Sequence, residues 1–319
     1  MILITGATGL IGRQVVAQLM AEKRALRCLL PQPKQRQLPW DRWMEGAPEI
    51  ITGNSWNEEA LFAAVSGAHT IIHLENALWW GRTRDLERVE IVGTRNLIAA
   101  ARAARVGRII TVSQLGANPA SAFPLLRIKG QVEDLIRQSG LAYTILRSGV
   151  VFGREDAFAN HIAMLLPVSP LFLVMPGYGE IILHPIYIDD LAEAITRSLE
   201  RIDTVDQTIE IGGPEYMTFE DLIRTVMRVT GSERSILAVP PYLIRWWLRI
   251  YRIVFPRTLI TPQWLDILAA SRTAHLGNSY TYFGLYPRRF EDTLLTYMPR
   301  QHYFWRALRY VFRRHPRGQ

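Results

Sequence analysis

Short runs of Val, Ile and Leu alternate with stretches of helical apolar periodicity through the first two thirds of the chain. The continuous runs predict strands at 1–5, 26–30, 50–52, 70–74, 108–112 and 143–147, with a later one at 208–211. The periodic stretches predict helices at 11–23, 58–65, 89–104, 129–139 and 190–200. Strands that are apolar on both faces and separated by helices build βαβ units, so the expected class is α/β, a doubly wound parallel sheet. After Gly153 the pattern loosens and Pro and aromatic residues become frequent. The expected division is a sheet domain at 1–153 and a mixed region at 154–319. Within the latter, 188–212 returns to the sheet, while 154–187 and 213–319 form a smaller C-terminal lobe for a substrate or partner. That lobe is expected over the carboxyl edge of the sheet, where open α/β folds bind ligands.

The densest local signal is Gly6-Ala7-Thr8-Gly9-Leu10-Ile11-Gly12, between the first strand and the first helix. In that context three glycines have separate tasks: Gly6 permits a tight turn, Gly9 lets backbone approach a diphosphate, and Gly12 lets helix and strand pack closely. The helix N-terminus then offers free N–H groups and partial positive charge to the phosphates. The sheet is therefore expected to be Rossmann-type and to hold a nicotinamide dinucleotide. An acid at the end of the second strand would bind the ribose 2′-hydroxyl of NAD. Here Leu30 is followed by Pro31, Gln32, Pro33 and Lys34, with Arg36 close by. This acid-free basic loop suits a 2′-phosphate, so NADP is the expected cofactor and NAD the alternative.

Further segments fit one superfamily: Thr52-Gly53-Asn54, Ile71-Ile72-His73-Leu74, Gly93-Thr94-Arg95-Asn96-Leu97, Thr111-Val112-Ser113 and His184-Pro185-Ile186-Tyr187-Ile188-Asp189-Asp190-Leu191-Ala192. With the Gly-x-x-Gly-x-x-Gly turn, the chain resembles the atypical and extended short-chain dehydrogenase/reductases. The resemblance implies dinucleotide contacts at Gly6, Thr8, Gly9, Leu10, Ile11, Gly12, Gln32, Lys34, Asn54, Leu74, Ser113, Lys129, Ser148 and Val150. It also implies a catalytic Ser at Ser113 and a Lys at Lys129, preceded by a Tyr one helical turn earlier on the same face. That position holds Leu125, which has no proton to give. Hydride transfer with the usual proton relay is therefore expected to be impaired. His73 reads as a satisfied strand-end histidine, and Ser113 as bonding either a ligand or local backbone. Glu75 departs from the family's small residue and would repel a diphosphate unless it turns away.

Charge divides the chain unevenly. Residues 1–231 hold 23 Lys+Arg against 25 Asp+Glu, while residues 232–319 hold 14 against 4. Residues 242–255 and 303–315 read as helices of aromatic and apolar residues with Arg245, Arg249 and Arg252 in one stripe on the first. Such helices are expected to be nearly buried, or set against a membrane protein complex or an anionic membrane surface. Nucleic acid is not an expected partner, because the aromatics fall at helical core spacing without a binding motif. The lone Cys28 and the histidine spacing exclude a disulfide framework and a zinc site of usual spacing. The uncharged stretch 157–179 is broken by Pro167, Pro170 and Pro176, so it is not expected to span a membrane. No export leader is evident. The expected location is cytoplasmic, with peripheral attachment to the inner face of the membrane.

Within the superfamily, Val151-Phe152-Gly153-Arg154-Glu155-Asp156-Ala157-Phe158-Ala159-Asn160 resembles the signature of the nucleotide-binding accessory subunit of respiratory complex I and its bacterial relatives. Leu125-Leu126-Arg127-Ile128-Lys129-Gly130 is also similar to a photosystem-assembly branch that lacks the Tyr. Both resemblances imply a structural or assembly role for a chain that holds its nucleotide. The competing expectation is an active NAD(P)H-dependent oxidoreductase or epimerase on a carbonyl or sugar-type substrate, using Ser113, Lys129 and a substitute acid.

Overall fold

The structure is a computed structural model that describes residues 1–31, 38, 40–41, 44–76, 83–169, 171–255, 257–299 and 301–312. Two compact units emerge, each assembled from separate stretches of chain. The first comprises Met1–Ser148, Ile188–Ile211 and Gly277–Tyr286; the second comprises Gly149–Tyr187, Gly212–Leu276 and Pro287–Gln319.

The first unit runs β1 (Ile2–Thr5), α1 (Leu10–Ala21), β2 (Leu26–Leu30), β3 (Glu49–Thr52), α2 (Glu58–Val65), β4 (Thr70–His73), α3 (Thr83–Leu86), a π-helical segment (Glu87–Val92), α4 (Gly93–Ala103), β5 (Arg108–Gln114), α5 (Pro124–Arg137), β6 (Ala142–Ser148), α7 (Ile188–Ser198), β11 (Gln207–Ile211) and α11 (Asn278–Phe283). Its seven strands form one sheet in the order β11-β6-β5-β4-β1-β2-β3, every neighbour parallel. The order reverses between β1 and β4, which makes the crevice at their carboxyl ends the expected ligand site. Strands β1 and β4 are buried along their whole length, as doubly covered strands must be. On one face Leu3, Ile71 and Ile109 pack with Leu61, Leu97 and Ile136 from the covering helices. A carboxylate clamp fixes α5 on the sheet: Glu133 accepts from Arg147 Nε at 2.9 Å and Nη2 at 2.7 Å, and from Arg137 Nη2 at 2.6 Å.

The segment Gly277–Tyr286 lies within the tract 213–319 that the sequence pattern gave to the C-terminal lobe, yet it groups with the sheet. Asn278 Nδ2 donates to the Glu210 carbonyl at 2.8 Å, and Arg197 Nη1 donates to the Phe283 carbonyl at 2.6 Å.

The second unit contains β7 (Val151–Phe152), α6 (Ala159–Val168), β8 (Phe172–Pro176), β9 (Ile182–Leu183), β10 (Ile186–Tyr187), β12 (Met217–Thr218), α8 (Phe219–Thr230), β13 (Ser235–Val239), α9 (Pro241–Val254), α10 (Pro262–Ile267), α12 (Phe290–Leu295) and α13 (Tyr303–Phe312). Its strands pair only two by two. Helices therefore supply most of its core, with Phe152, Phe158, Phe219, Trp264 and Phe290 fully buried.

Two sequence signatures are explained as architecture here. The Asp156 carboxylate accepts from the backbone N–H groups of Gly153, Phe158 and Asn160 at 3.1, 2.6 and 3.3 Å, and from Asn160 Nδ2 at 2.8 Å. His184 Nδ1 accepts from Ala274 N–H at 3.2 Å, so Nε2 carries the proton that it donates to the Gly213 carbonyl at 2.7 Å. A Cβ on Gly212 would lie 2.1 Å from the His184 ring, which leaves glycine as the residue that fits.

Of the two expectations for helix α9, nearly buried or set against a partner surface, the first does not hold. Among its described side chains Ile244 and Leu248 form the buried stripe, against Leu265, while Tyr242, Leu243, Trp246, Trp247 and Ile250 are exposed. Arg245 turns to the buried Asp266 carboxylate at 2.9 Å, so Arg245 and Arg249 do not act as one solvent-facing stripe. No helix among the described residues is long and apolar enough to cross a membrane.

Candidate dinucleotide site

The turn after β1 is shaped by glycine. Gly6 has φ +72°, a left-handed conformation that side-chain-bearing residues rarely adopt. A Cβ there would lie 2.4 Å from the Leu74 carbonyl carbon. Gly9 N–H donates to the Gly6 carbonyl at 2.9 Å and closes the turn. Gly12 packs so tightly on it that a Cβ would stand 2.2 Å from the Gly6 carbonyl oxygen. Helix α1 opens at Gly9 with no side-chain cap and no acid in its first turn. Its leading N–H groups and positive end thus remain available to phosphate. Thr8, Leu10 and Ile11 occupy this turn, and Leu74 borders it through the contact with Gly6 and a 3.1 Å bond from its N–H to the Thr5 carbonyl.

At the end of β5, Ser113 is buried and its Oγ has no hydrogen-bond partner among the described residues. The local backbone bond that a strand-end serine often makes is absent, and a buried hydroxyl without a partner is costly. Together with the glycine cradle, this orphaned hydroxyl fits a site for an external polar ligand. Ser148 behaves differently: its Oγ donates to the Ser113 carbonyl at 3.3 Å and ties β6 to β5. Asn54 spends its Oδ1 on the Trp56 N–H at 3.2 Å, within the turn before α2. Val150 is buried and belongs to the second unit, whereas the other described candidates belong to the first. Gln32 and Lys34 lie outside the described residues.

Lys129 is one turn along α5 from buried Leu125, as the sequence placed it. Its Nζ makes a 2.8 Å ion pair with Glu90 Oε2, and both residues are buried. Sequence reasoning missed Glu90. The π-helical segment carries it, and such segments are uncommon and cluster at functional sites. Glu75, just beyond Leu74, is half-buried. Burial lifts its carboxyl to about 7, a nearby Ser55 hydroxyl partly offsets this, and the Glu90 charge adds to it. His73 hydrogen-bonds Thr5 Oγ1 through Nδ1 at 2.7 Å and Thr94 Oγ1 through Nε2 at 2.9 Å. Burial first, and the Lys129 charge second, push its pKa down to about 3, so it is a neutral, satisfied core histidine at neutral pH. Among the described residues no cluster has the makings of a metal site.

Comparison with known proteins agrees with this geometry. Residues 6–160 match a family model described as NAD(P)H-binding. The photosystem II assembly factor Ycf39 of Synechocystis is 26% identical over 97% of this chain and 92% of its own length. The corresponding protein of Cyanophora paradoxa is 27% identical over 75% of this chain and 71% of its own. The rat mitochondrial NADH dehydrogenase [ubiquinone] 1 alpha subcomplex subunit 9 is 27% identical over 78% of this chain, a match spanning 66% of that subunit. Among solved structures, a nucleoside-diphosphate-sugar epimerase from Staphylococcus aureus superposes with TM-score 0.76 at 18% identity, covering 92% of this chain and 99% of the epimerase. UDP-glucose 4-epimerase from Thermotoga maritima gives 0.70 at 20% identity, covering 96% and 99%. These two likenesses concern the fold alone. The glycine turn, the parallel sheet and the family match together mark residues 6–160 as an NAD(P)H-binding domain.

Proposed function

We infer that the protein is a nucleotide-binding structural or assembly factor that works beside a membrane complex and is not organised for hydride-transfer turnover. The observation that carries this is Leu125 at the proton donor's place, one turn from a Lys129 whose ammonium is held by Glu90. A family enzyme needs that ammonium on the nicotinamide ribose and beside an acid; here the acid is hydrocarbon and the lysine has a buried carboxylate for a partner. The relatives named as an assembly factor and a complex I subunit support the same role. So do the exposed aromatics of α9 and α13, which suit attachment to a membrane protein or an anionic membrane surface from the cytoplasmic side.

In this reading the Gly6–Gly12 turn holds the diphosphate and Ser113 donates its free hydroxyl to the nicotinamide half. Gln32 and Lys34 receive the 2′-phosphate of NADP. A bound dinucleotide supplies hydride chemistry when a proton donor is at hand. In this chain the residues bind and orient it, and its binding stabilises the folded state.

The test is mass spectrometry of nucleotide released from the purified protein, with a carbonyl-reduction assay on the same sample. Bound NADP(H) at near one per chain, without turnover, is expected. Empty protein, or rapid reduction of a carbonyl substrate, would overturn the assignment.

A further inference from the structure

The second unit contains a cavity of about 750 Å³ that the dinucleotide reading does not use. Its walls come from α6, β8, β13, α9, α13 and the segment before α10, and its lining is nearly all hydrocarbon. Leu165 and Val174 lie on one side, Leu248 and Leu259 on another, and Ala307 and Val311 complete it. Among the described lining residues, Ser169, Thr258 and Tyr251 are those with a polar side chain other than tryptophan. Leu243, Trp246, Trp247 and Phe312 line it and are also exposed, with Trp246 60% and Trp247 54% accessible. The space is therefore continuous with an exposed aromatic surface, where an amphipathic indole suits the boundary between water and hydrocarbon.

Charge and size select the occupant. The five regular elements that wall the cavity (α6, β8, β13, α9 and α13) contain no Asp or Glu; Arg245 of α9 pairs with Asp266, while α9 and α13 also carry Arg249, Arg252, Arg306 and Arg309. Arg249 and Arg309 are exposed. Such surroundings suit an apolar tail that ends in an anionic head. At about one water volume per methylene, ~30 Å³, an alkyl chain of about 16–18 carbons needs roughly 500 Å³. The cavity holds one such chain but not two, and lies within the ~300–1,000 Å³ of ordinary ligand sites.

We propose that this cavity takes one acyl chain of an anionic membrane lipid, whose headgroup is met by arginines of α9 and α13 while Trp246 and Trp247 sit at the water–lipid boundary. The site rests on the second unit's own walls, so its failure would leave dinucleotide binding untouched.

The test uses the full-length protein incubated with vesicles of phosphatidylcholine alone or mixed with phosphatidylglycerol, re-isolated, and examined by native mass spectrometry. One retained phosphatidylglycerol per chain is expected, with Ala307→Phe retaining at least about tenfold less and binding dinucleotide as before. Because Ala307→Phe fills a buried position and can misfold, Arg249→Glu serves as a surface companion. It is expected to reduce phosphatidylglycerol retention several-fold with the fold intact. Retention of no lipid by the wild type, of phosphatidylcholine equally well, or of phosphatidylglycerol undiminished in both variants would overturn the proposal. So would displacement of bound phosphatidylglycerol by an added amphipathic peptide but not by free palmitate, which would make the groove a peptide site.

Discussion

Glu75 is the residue whose environment departs furthest from what the family pattern leads one to expect. Its carboxyl is lifted from the usual 4.5 to about 7, chiefly by burial. Between those two values the folded chain keeps a proton that the unfolded chain has released. The resulting penalty is absent below the lower value, grows as pH rises through the window, and is complete above about 7. Glu75→Gln removes the ionisation. The variant is therefore expected to gain on the wild type by about 1–3 kcal/mol between pH 5 and pH 8, measured by urea unfolding at both. A constant difference would show that Glu75 is solvated after all. His73 runs the other way: with its pKa depressed to about 3, the stability it contributes is lost as pH falls below its usual 6.5. That contribution is common to both chains and cancels in the comparison. Ser113 and Lys129 stood out from the sequence because their family positions follow a strand end and a helix turn. Glu90 did not, since it lies 39 residues from Lys129 and no local spacing joins them. Asn54 and Ser148 are expected at the site by resemblance; that their side chains also bond backbone groups nearby is not something a pattern match foresees.

At the scale of elements, the π-helical segment and α5 are joined by one buried ion pair. A buried charge without its partner is far costlier than the pair itself. Glu90→Leu or Lys129→Met alone is therefore expected to cost about 3–5 kcal/mol, and the double variant Glu90→Leu with Lys129→Met distinctly less than the sum. Denaturant unfolding of the four chains checks this; single losses no larger than those of surface substitutions, about 0.5 kcal/mol, would mean that the pair is solvated. The sheet was legible because doubly buried strands announce themselves as unbroken aliphatic runs; β2, at Leu26–Leu30, falls where the sequence placed it. The tract 89–104 read as a single α-helix, because a periodicity window does not register the wider π turn at its start. The first turn of α5 was missed for the opposite reason: Pro124 looks like a breaker but occupies the first helical position, where its missing N–H costs nothing. The exposure of α9 was illegible, since its apolar residues surround the helix and only packing decides which of them Leu265 covers.

Across the whole molecule, the two proposed tasks fall to separately built units. One is a parallel sheet with a glycine turn at its switch point; the other is a helical unit whose basic residues accompany an apolar cavity. The net charge of +8 arises from the last quarter of the chain, so the attraction of that quarter for an anionic surface is expected to weaken with salt. Nucleotide binding, by contrast, is proposed to rest on backbone geometry at Gly6, Gly9 and Gly12. The most direct test of the account is calorimetric titration of the full-length protein with NADPH and with NADH, alongside Gly12→Ala, whose added methyl would lie 2.2 Å from the Gly6 carbonyl oxygen. Saturable binding at one site per chain, tighter for NADPH and lost in the variant, is the expected result. No heat with either dinucleotide at millimolar concentration, or an unchanged titration in Gly12→Ala, would contradict it.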